Sequence, residues 1–151
     1  MEQFKTAEDI LDYAISEEEA AAQFYTELAA RMTSPGTKKI FEGFAREEEG
    51  HKAKLVAVKE GRKLDLSTEK VADLKIGDYL VDVEVKSGMG YQDALIVAMK
   101  KEKAAFRLYS DLAAAADNPE VTELFLALAQ EEAKHKLRFE VEYDERVLVE
   151  N

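Results

Sequence analysis

Glu47-Glu48-Glu49-Gly50-His51 and Glu131-Glu132-Ala133-Lys134-His135 contain the chain's two histidines, and each histidine follows a glutamate by three residues. With 22 glutamates in 151 residues, two such coincidences arise by chance with a probability of about 2%. The two stretches lie 84 residues apart, and sliding the whole chain against itself by 84 extends the match without a gap. Ala14 then meets Ala98, Ala20 meets Ala104, Ala21 meets Ala105, Tyr25 meets Tyr109, Leu28 meets Leu112 and Ala29 meets Ala113. Further on, Pro35 meets Pro119, Phe41 meets Phe125 and Ala45 meets Ala129. A duplicated unit explains this register more simply than coincidence.

Apolar residues within each copy recur at helical spacing. Ile10, Leu11, Ala14, Ile15, Ala21, Ala22, Phe24, Tyr25, Leu28 and Met32 predict a first helix from Thr6 or Glu8 to about Thr33. Ser34-Pro35 then reads as an N-cap with proline at the first helical position, opening a second helix that continues to Glu60 and stops at Gly61. A third helix is predicted from about Tyr91 to Ala116. Asn118-Pro119 repeats the cap-then-proline signal before a fourth, which reaches about Arg138 to Asp144. Each copy is therefore a helical hairpin. Phe24, Phe41, Phe44, Phe106, Phe125 and Leu128 are expected in the core, and Lys100, Lys101 and Lys103 on a solvated face.

Between the pairs, Arg62 to Gly88 has poor helical period. A short helix around Thr68 to Leu74, a turn at Gly77-Asp78 and an extended piece at Val81, Val83 and Val85 are expected there. A connection this long is uncommon without a task. Helices of about 25 residues are about 38 Å long, and an extended connection can span that length. The expected architecture is all-α, an antiparallel four-helix bundle in one domain over 1–151. Hairpin one covers about 6–60, a long crossover about 61–89 and hairpin two about 90–145.

Composition narrows the function. Lys plus Arg number 21 against 32 Asp plus Glu, a net charge of −11, which argues against a nucleic-acid backbone or an anionic membrane as partner. Cysteine is absent, excluding disulfides, thiolate nucleophiles and Cys-held zinc or iron–sulfur centres in this sequence. Any metal must be held by oxygen and imidazole. Met1-Glu2-Gln3-Phe4-Lys5 does not open a secretory signal, and no apolar run approaches a membrane span, so a cytoplasmic location is expected.

Positions i and i+3 share a helical face, so Glu48 with His51, and Glu132 with His135, can each grip one metal from a single helix. Among Glu17, Glu18 and Glu19, the repeat selects one: Glu17 meets Lys101 and Glu19 meets Lys103, whereas Glu18 meets Glu102. Glu18, Glu48, His51, Glu102, Glu132 and His135 thus form the candidate ligand set. Four carboxylates converging in a core would repel, and two divalent cations cancel their charge. Oxygen with imidazole suits two iron ions, with manganese or zinc as alternatives, and disfavours calcium. Glu48 and Glu132 are expected to bridge the metals while Glu18 and Glu102 each cap one. Tyr25 and Tyr109, seven residues past Glu18 and Glu102, share their face and are candidates for hydrogen-bonding the ligand carboxylates, with plain core packing as the alternative. Glu47 and Glu131 are candidates for orienting a histidine, or else surface carboxylates.

One Glu from each of two helices plus Glu-x-x-His from each of the others resembles the rubrerythrin branch of the ferritin-like superfamily. The resemblance covers nearly the whole chain. It implies a ferritin-like bundle whose di-iron centre reduces hydrogen peroxide or reacts with dioxygen in oxidative-stress defence, often in a homodimer. Two departures qualify it. Rubrerythrins proper carry a cysteine-bound rubredoxin-like iron, so here a separate electron donor such as rubredoxin is implied. They also carry an extra glutamate one turn past the third-helix ligand, where this chain has Ala105, with Ala21 as its repeat mate. The competing readings are an iron-binding ferroxidase or metal-storage protein, and a structural metal-bound bundle.

Overall fold

The computed structural model describes residues 4, 6–61, 70–71, 74–80 and 90–145. Four long helices dominate: α1 (Ala7–Ala30), α2 (Pro35–Glu60), α3 (Tyr91–Ala115) and α4 (Pro119–Tyr143). The chain divides into two compact units, one holding α1 and α2 and the other holding α3 and α4. There is no β-strand among the described residues. None of their helices is long and apolar enough to cross a membrane.

Helix starts follow local chemistry. Thr6 caps α1 in a capping box: its hydroxyl accepts from the Asp9 N–H at 3.1 Å, and the Asp9 carboxylate accepts from the Thr6 N–H at 3.2 Å. Asn118 caps α4 by accepting from the Glu120 N–H at 2.8 Å, with Pro119 next. Ser34 occupies the expected N-cap position before Pro35, yet its side chain makes no capping bond. Its carbonyl instead accepts from the Lys38 N–H at 3.0 Å, the ordinary first helical bond. α1 ends at Ala30, earlier than the apolar period predicts, with the Arg31 N–H turning back to Leu28. Gly61 does follow the last residue of α2, but at φ −70°, so it stops the helix without the left-handed turn that favours glycine. Thr6→Ala is expected to cost about 1 kcal/mol in a urea titration, because it orphans an N-terminal N–H. An unchanged midpoint would mean that the box contributes nothing.

In unit one, α1 packs on α2 around Ile10, Leu11, Ala14, Leu28, Phe41 and Leu55. Phe4 joins this core, its ring 5.5 Å from that of Tyr13. Cross-helix pairs run in opposite senses along the two helices, from Asp12 with Lys59 through Glu19 with Lys52 to Tyr25 with Phe44, which makes the hairpin antiparallel. In unit two, α3 packs on α4 around Leu95, Val97, Ala98, Leu112, Phe125, Leu128 and Phe139. Gln92 with Tyr143, Glu102 with His135 and Tyr109 with Phe125 show the same antiparallel sense. Five of the six expected core residues are buried or partly so, but Phe106 is 43% exposed. Its repeat mate Ala22 is buried at the equivalent position.

Most of the connection lies outside the described residues, including the expected extended piece at Val81, Val83 and Val85 and all but Lys70, Val71 and Leu74 of the expected short helix. The turn at Gly77-Asp78 is a 3₁₀ turn over Ile76–Asp78. Around it the chain is fastened to α3. Tyr79 donates to Asp111 at 2.7 Å, Lys70 donates to the Ala114 carbonyl at 3.2 Å, and Val71 is buried. Burial first, and then the hydrogen bond to Asp111, push the Tyr79 phenol above its ordinary 10.0. The folded state holds this proton more tightly than the unfolded chain, so the contribution is intact below pH 10 and is lost as pH rises above it. Tyr79→Phe should therefore flatten the fall in stability between about pH 9 and 11 in urea titrations. An unchanged slope would contradict the assignment.

Candidate metal centre

Each helix brings its carboxylate inward because apolar neighbours on the same stripe are buried. Leu11 and Tyr25 lie seven residues on either side of Glu18, Phe41 and Leu55 flank Glu48, Leu95 and Tyr109 flank Glu102, and Phe125 and Phe139 flank Glu132. A spacing of seven returns to nearly the same face of a helix, so packing the apolar pairs forces the glutamate between them into the interior. His51 and His135 follow one turn later and are buried as well. Of the run Glu17-Glu18-Glu19, only Glu18 is buried.

Unit one brings together Glu18, Glu48 and His51, whose nearest donor atoms lie within 4.8 Å of one another. His51 Nδ1 is 3.5 Å from Glu18 Oε2 and 3.5 Å from Glu48 Oε1. Unit two brings together Glu102, Glu132 and His135 within the same 4.8 Å. There His135 Nδ1 is 3.6 Å from Glu102 Oε1. These separations are too long for good hydrogen bonds and suit donors arranged around a common centre. At the atomic level, Glu18 Oε2, Glu48 Oε1, His51 Nδ1, Glu102 Oε2, Glu132 Oε1 and His135 Nδ1 are buried and make no hydrogen bond, although every one of these residues has a further interaction.

The donor chemistry fits a cation. Two carboxylates and one imidazole buried side by side in each hairpin carry a large desolvation cost, which a divalent ion offsets. Hard oxygens with imidazole favour iron, manganese or zinc over calcium.

The secondary candidates divide. Tyr25 is fully buried, edge-on to Phe24 at 5.6 Å and to Phe44 at 6.3 Å. Tyr109 is 1% exposed and stacks on Phe125 at 6.3 Å. Glu47 is exposed, whereas Glu131 is partly buried with a carboxylate oxygen within 4.8 Å of a His135 nitrogen. Glu131 also lies 3.8 Å from Lys134.

One buried carboxylate escaped the sequence reading. Glu142 is 3% exposed and accepts from the Tyr91 hydroxyl at 2.7 Å, joining the two ends of the hairpin. The repeat hides this pair, because the mates of Tyr91 and Glu142 are Ala7 and Val58. Helical spacing does not: Glu142 lies seven residues past His135, itself seven past Leu128. Tyr91→Phe should cost about 1–3 kcal/mol, because it removes a donor to a buried carboxylate. Thermal unfolding of the variant at neutral pH checks this, and a wild-type midpoint would sink it.

A sequence model of the Rubrerythrin family matches residues 9–91 and 93–151. The chain belongs to the Rubrerythrin family. Membership, with four long helices, shows the all-α, ferritin-like four-helix class expected from the sequence. The two matched segments meet near the start of α3, where the second copy of the repeat opens. In a rubrerythrin-family chain, buried clusters of this composition point to a metal site. No curated protein and no solved structure shows significant similarity to the chain.

Proposed function

We propose that Glu18, Glu48, His51, Glu102, Glu132 and His135 hold two iron ions in one dinuclear centre, and that the protein is an oxidoreductase reducing hydrogen peroxide or dioxygen. The observation that carries this reading is the buried pair of Glu–Glu–His triads, one in each hairpin at matching repeat positions. Two reduced iron ions held by these residues would supply two electrons, one each, to the oxidant.

The chain's own residues prepare that chemistry. Four carboxylates would neutralise two divalent ions, and carboxylate side chains able to change how they bind would accommodate the extra charge on oxidation. The imidazoles would add nitrogen donors, and a Glu131 oxygen within 4.8 Å of a His135 nitrogen supports a role for Glu131 in orienting that ring. Tyr25 and Tyr109 are proposed as phenols that steady the ligand carboxylates. The apolar stripes around the ligands exclude bulk water. With peroxide, cleaving the O–O bond consumes two electrons and two protons and yields two waters.

Ala105 stands where rubrerythrins proper carry the extra glutamate, and it is only partly buried. This favours a second reading, an iron-oxidising role with dioxygen as the acceptor. Anaerobic loading with Fe(II), followed by rapid mixing with peroxide and separately with dioxygen, decides between them. Ferric absorbance that grows much faster with peroxide supports the peroxidase, and faster growth with dioxygen supports the ferroxidase. A protein that holds no iron contradicts both.

A further inference from the structure

The duplication makes an asymmetry visible on an exposed face of hairpin two. In α3, residues 99–110 contain Lys100, Lys101, Lys103 and Arg107, and their only acid is the buried Glu102. The matching stretch of α1 contains Glu17, Glu18 and Glu19 and no basic residue. In α4, Lys134, Lys136 and Arg138 fall within five residues, so these two stretches hold every basic residue of α3 and α4 in a chain of net charge −11. At their centre Phe106 and Leu137 are 43% and 60% exposed, where the equivalent positions of hairpin one carry Ala22 and Ala53. Phe106 and Leu137 line a groove of about 340 Å³ with Lys103, Ala133, Lys136 and Glu140, and Lys136 is ion-paired to Glu140.

We propose that this groove is the docking site of a small acidic protein that carries single electrons. The proposal rests on the oxidoreductase reading and names the surface through which its electrons enter. Three observations select the occupant. First, Lys100 and Lys103 stand near two exposed apolar side chains, with Arg107, Lys134 and Lys136 ion-paired to Asp78, Glu131 and Glu140, and these lysines complement an acidic partner and steer its approach. Second, the surface is ill suited to a second copy of this chain: placing like patches together sets lysine against lysine, and pairing it with the glutamates of α1 gives a head-to-tail contact that does not close a dimer. A groove with two apolar anchors matches the small, transient interfaces of redox encounters. Third, the groove lies on the turns that carry the ligands. Lys103 follows Glu102, Ala133 follows Glu132, Lys136 follows His135, and Phe106 is one turn from Glu102. A carrier seated there is separated from the unit-two ligands by little more than the thickness of one helix, about 10 Å. Each docking passes one electron from the reduced carrier to the oxidised centre, and two carriers are oxidised for every two-electron reduction.

The test uses an acidic rubredoxin as probe and the iron-loaded full chain. Lys103→Glu and Leu137→Glu should each slow oxidation of the reduced probe about tenfold or more and weaken the salt dependence of the rate. Lys39→Glu, the same charge change on exposed α2, should not. Reduction by dithionite should be equal in all four proteins, which separates docking from damage to the centre. Binding of zinc-substituted rubredoxin, followed by NMR titration at low salt, should be lost in the same two variants, and this readout needs no turnover. Absence of binding to the wild-type chain, or wild-type probe kinetics in Lys103→Glu and Leu137→Glu, would overturn the proposal. So would light scattering in which Leu137→Glu splits an oligomer while probe binding persists, since the face would then belong to a second copy. A wild-type protein that takes electrons from the probe yet reacts with neither peroxide nor dioxygen would refute the oxidoreductase reading and leave the docking site standing.

Discussion

Glu48→Ala and Glu132→Ala are each expected to reduce the iron content of the anaerobically loaded protein from two ions per chain to one or none. Each glutamate is buried on a stripe of apolar residues and lies with a histidine and a second carboxylate within 4.8 Å. Each would hold metal through its carboxylate, so its loss removes a buried oxygen donor and leaves too little negative charge for two divalent cations. An exposed carboxylate of the same helix is the control: Glu49→Ala, next to Glu48 but on the solvated face, should retain the full content. Metal analysis after desalting reads the result. Two retained ions in either Glu48→Ala or Glu132→Ala would end the assignment.

The second large effect is on stability. The metal-free protein buries four carboxylates and two imidazoles, and metal binding offsets that cost only in the folded state. At free metal about a thousandfold above Kd, binding adds about 4 kcal/mol to folding. For a chain of this size that raises Tm by roughly 8–16 °C. Metal-free Glu132→Gln should melt above metal-free wild type, because a neutral amide replaces a buried charge, and it should lose most of the gain on adding iron. Calorimetry of both proteins with and without metal tests the pair of outcomes. A wild-type Tm that is insensitive to iron would show that the triads do not bind it in the folded state.

How much of this was legible follows from how each feature is encoded. The start of the fourth helix was readable because a cap followed by proline, Asn118-Pro119, is local chemistry, whereas the apolar period left the first start between Thr6 and Glu8 and the Thr6–Asp9 box fixes it. Ser34 shows the limit, since proline at the next position allowed the helix to begin without a side-chain cap. The inward placement of Glu18 over Glu17 and Glu19 was legible because a duplicated chain keeps what both copies need and varies the rest. The same logic concealed Glu142 and Tyr91, a pair made in hairpin two alone. Phe106 was misplaced for a related reason. Its spacing matches the core, but at that register the interior of hairpin one accepts an alanine, and a phenyl ring stands partly in solvent. The fastening of the connection to α3 through Tyr79 and Lys70 was not legible, because partners more than 30 residues apart leave no periodic signal.

The central claim is that two similar hairpins furnish one centre holding two interacting irons. Mössbauer spectroscopy of the protein loaded with iron-57 and oxidised, together with an iron count, tests it most directly. Two ferric ions per chain coupled to a diamagnetic ground state are predicted, because two ions held together by these six residues would interact magnetically. Two magnetically isolated ferric ions would mean that each hairpin binds its own metal, and the dinuclear account would be wrong.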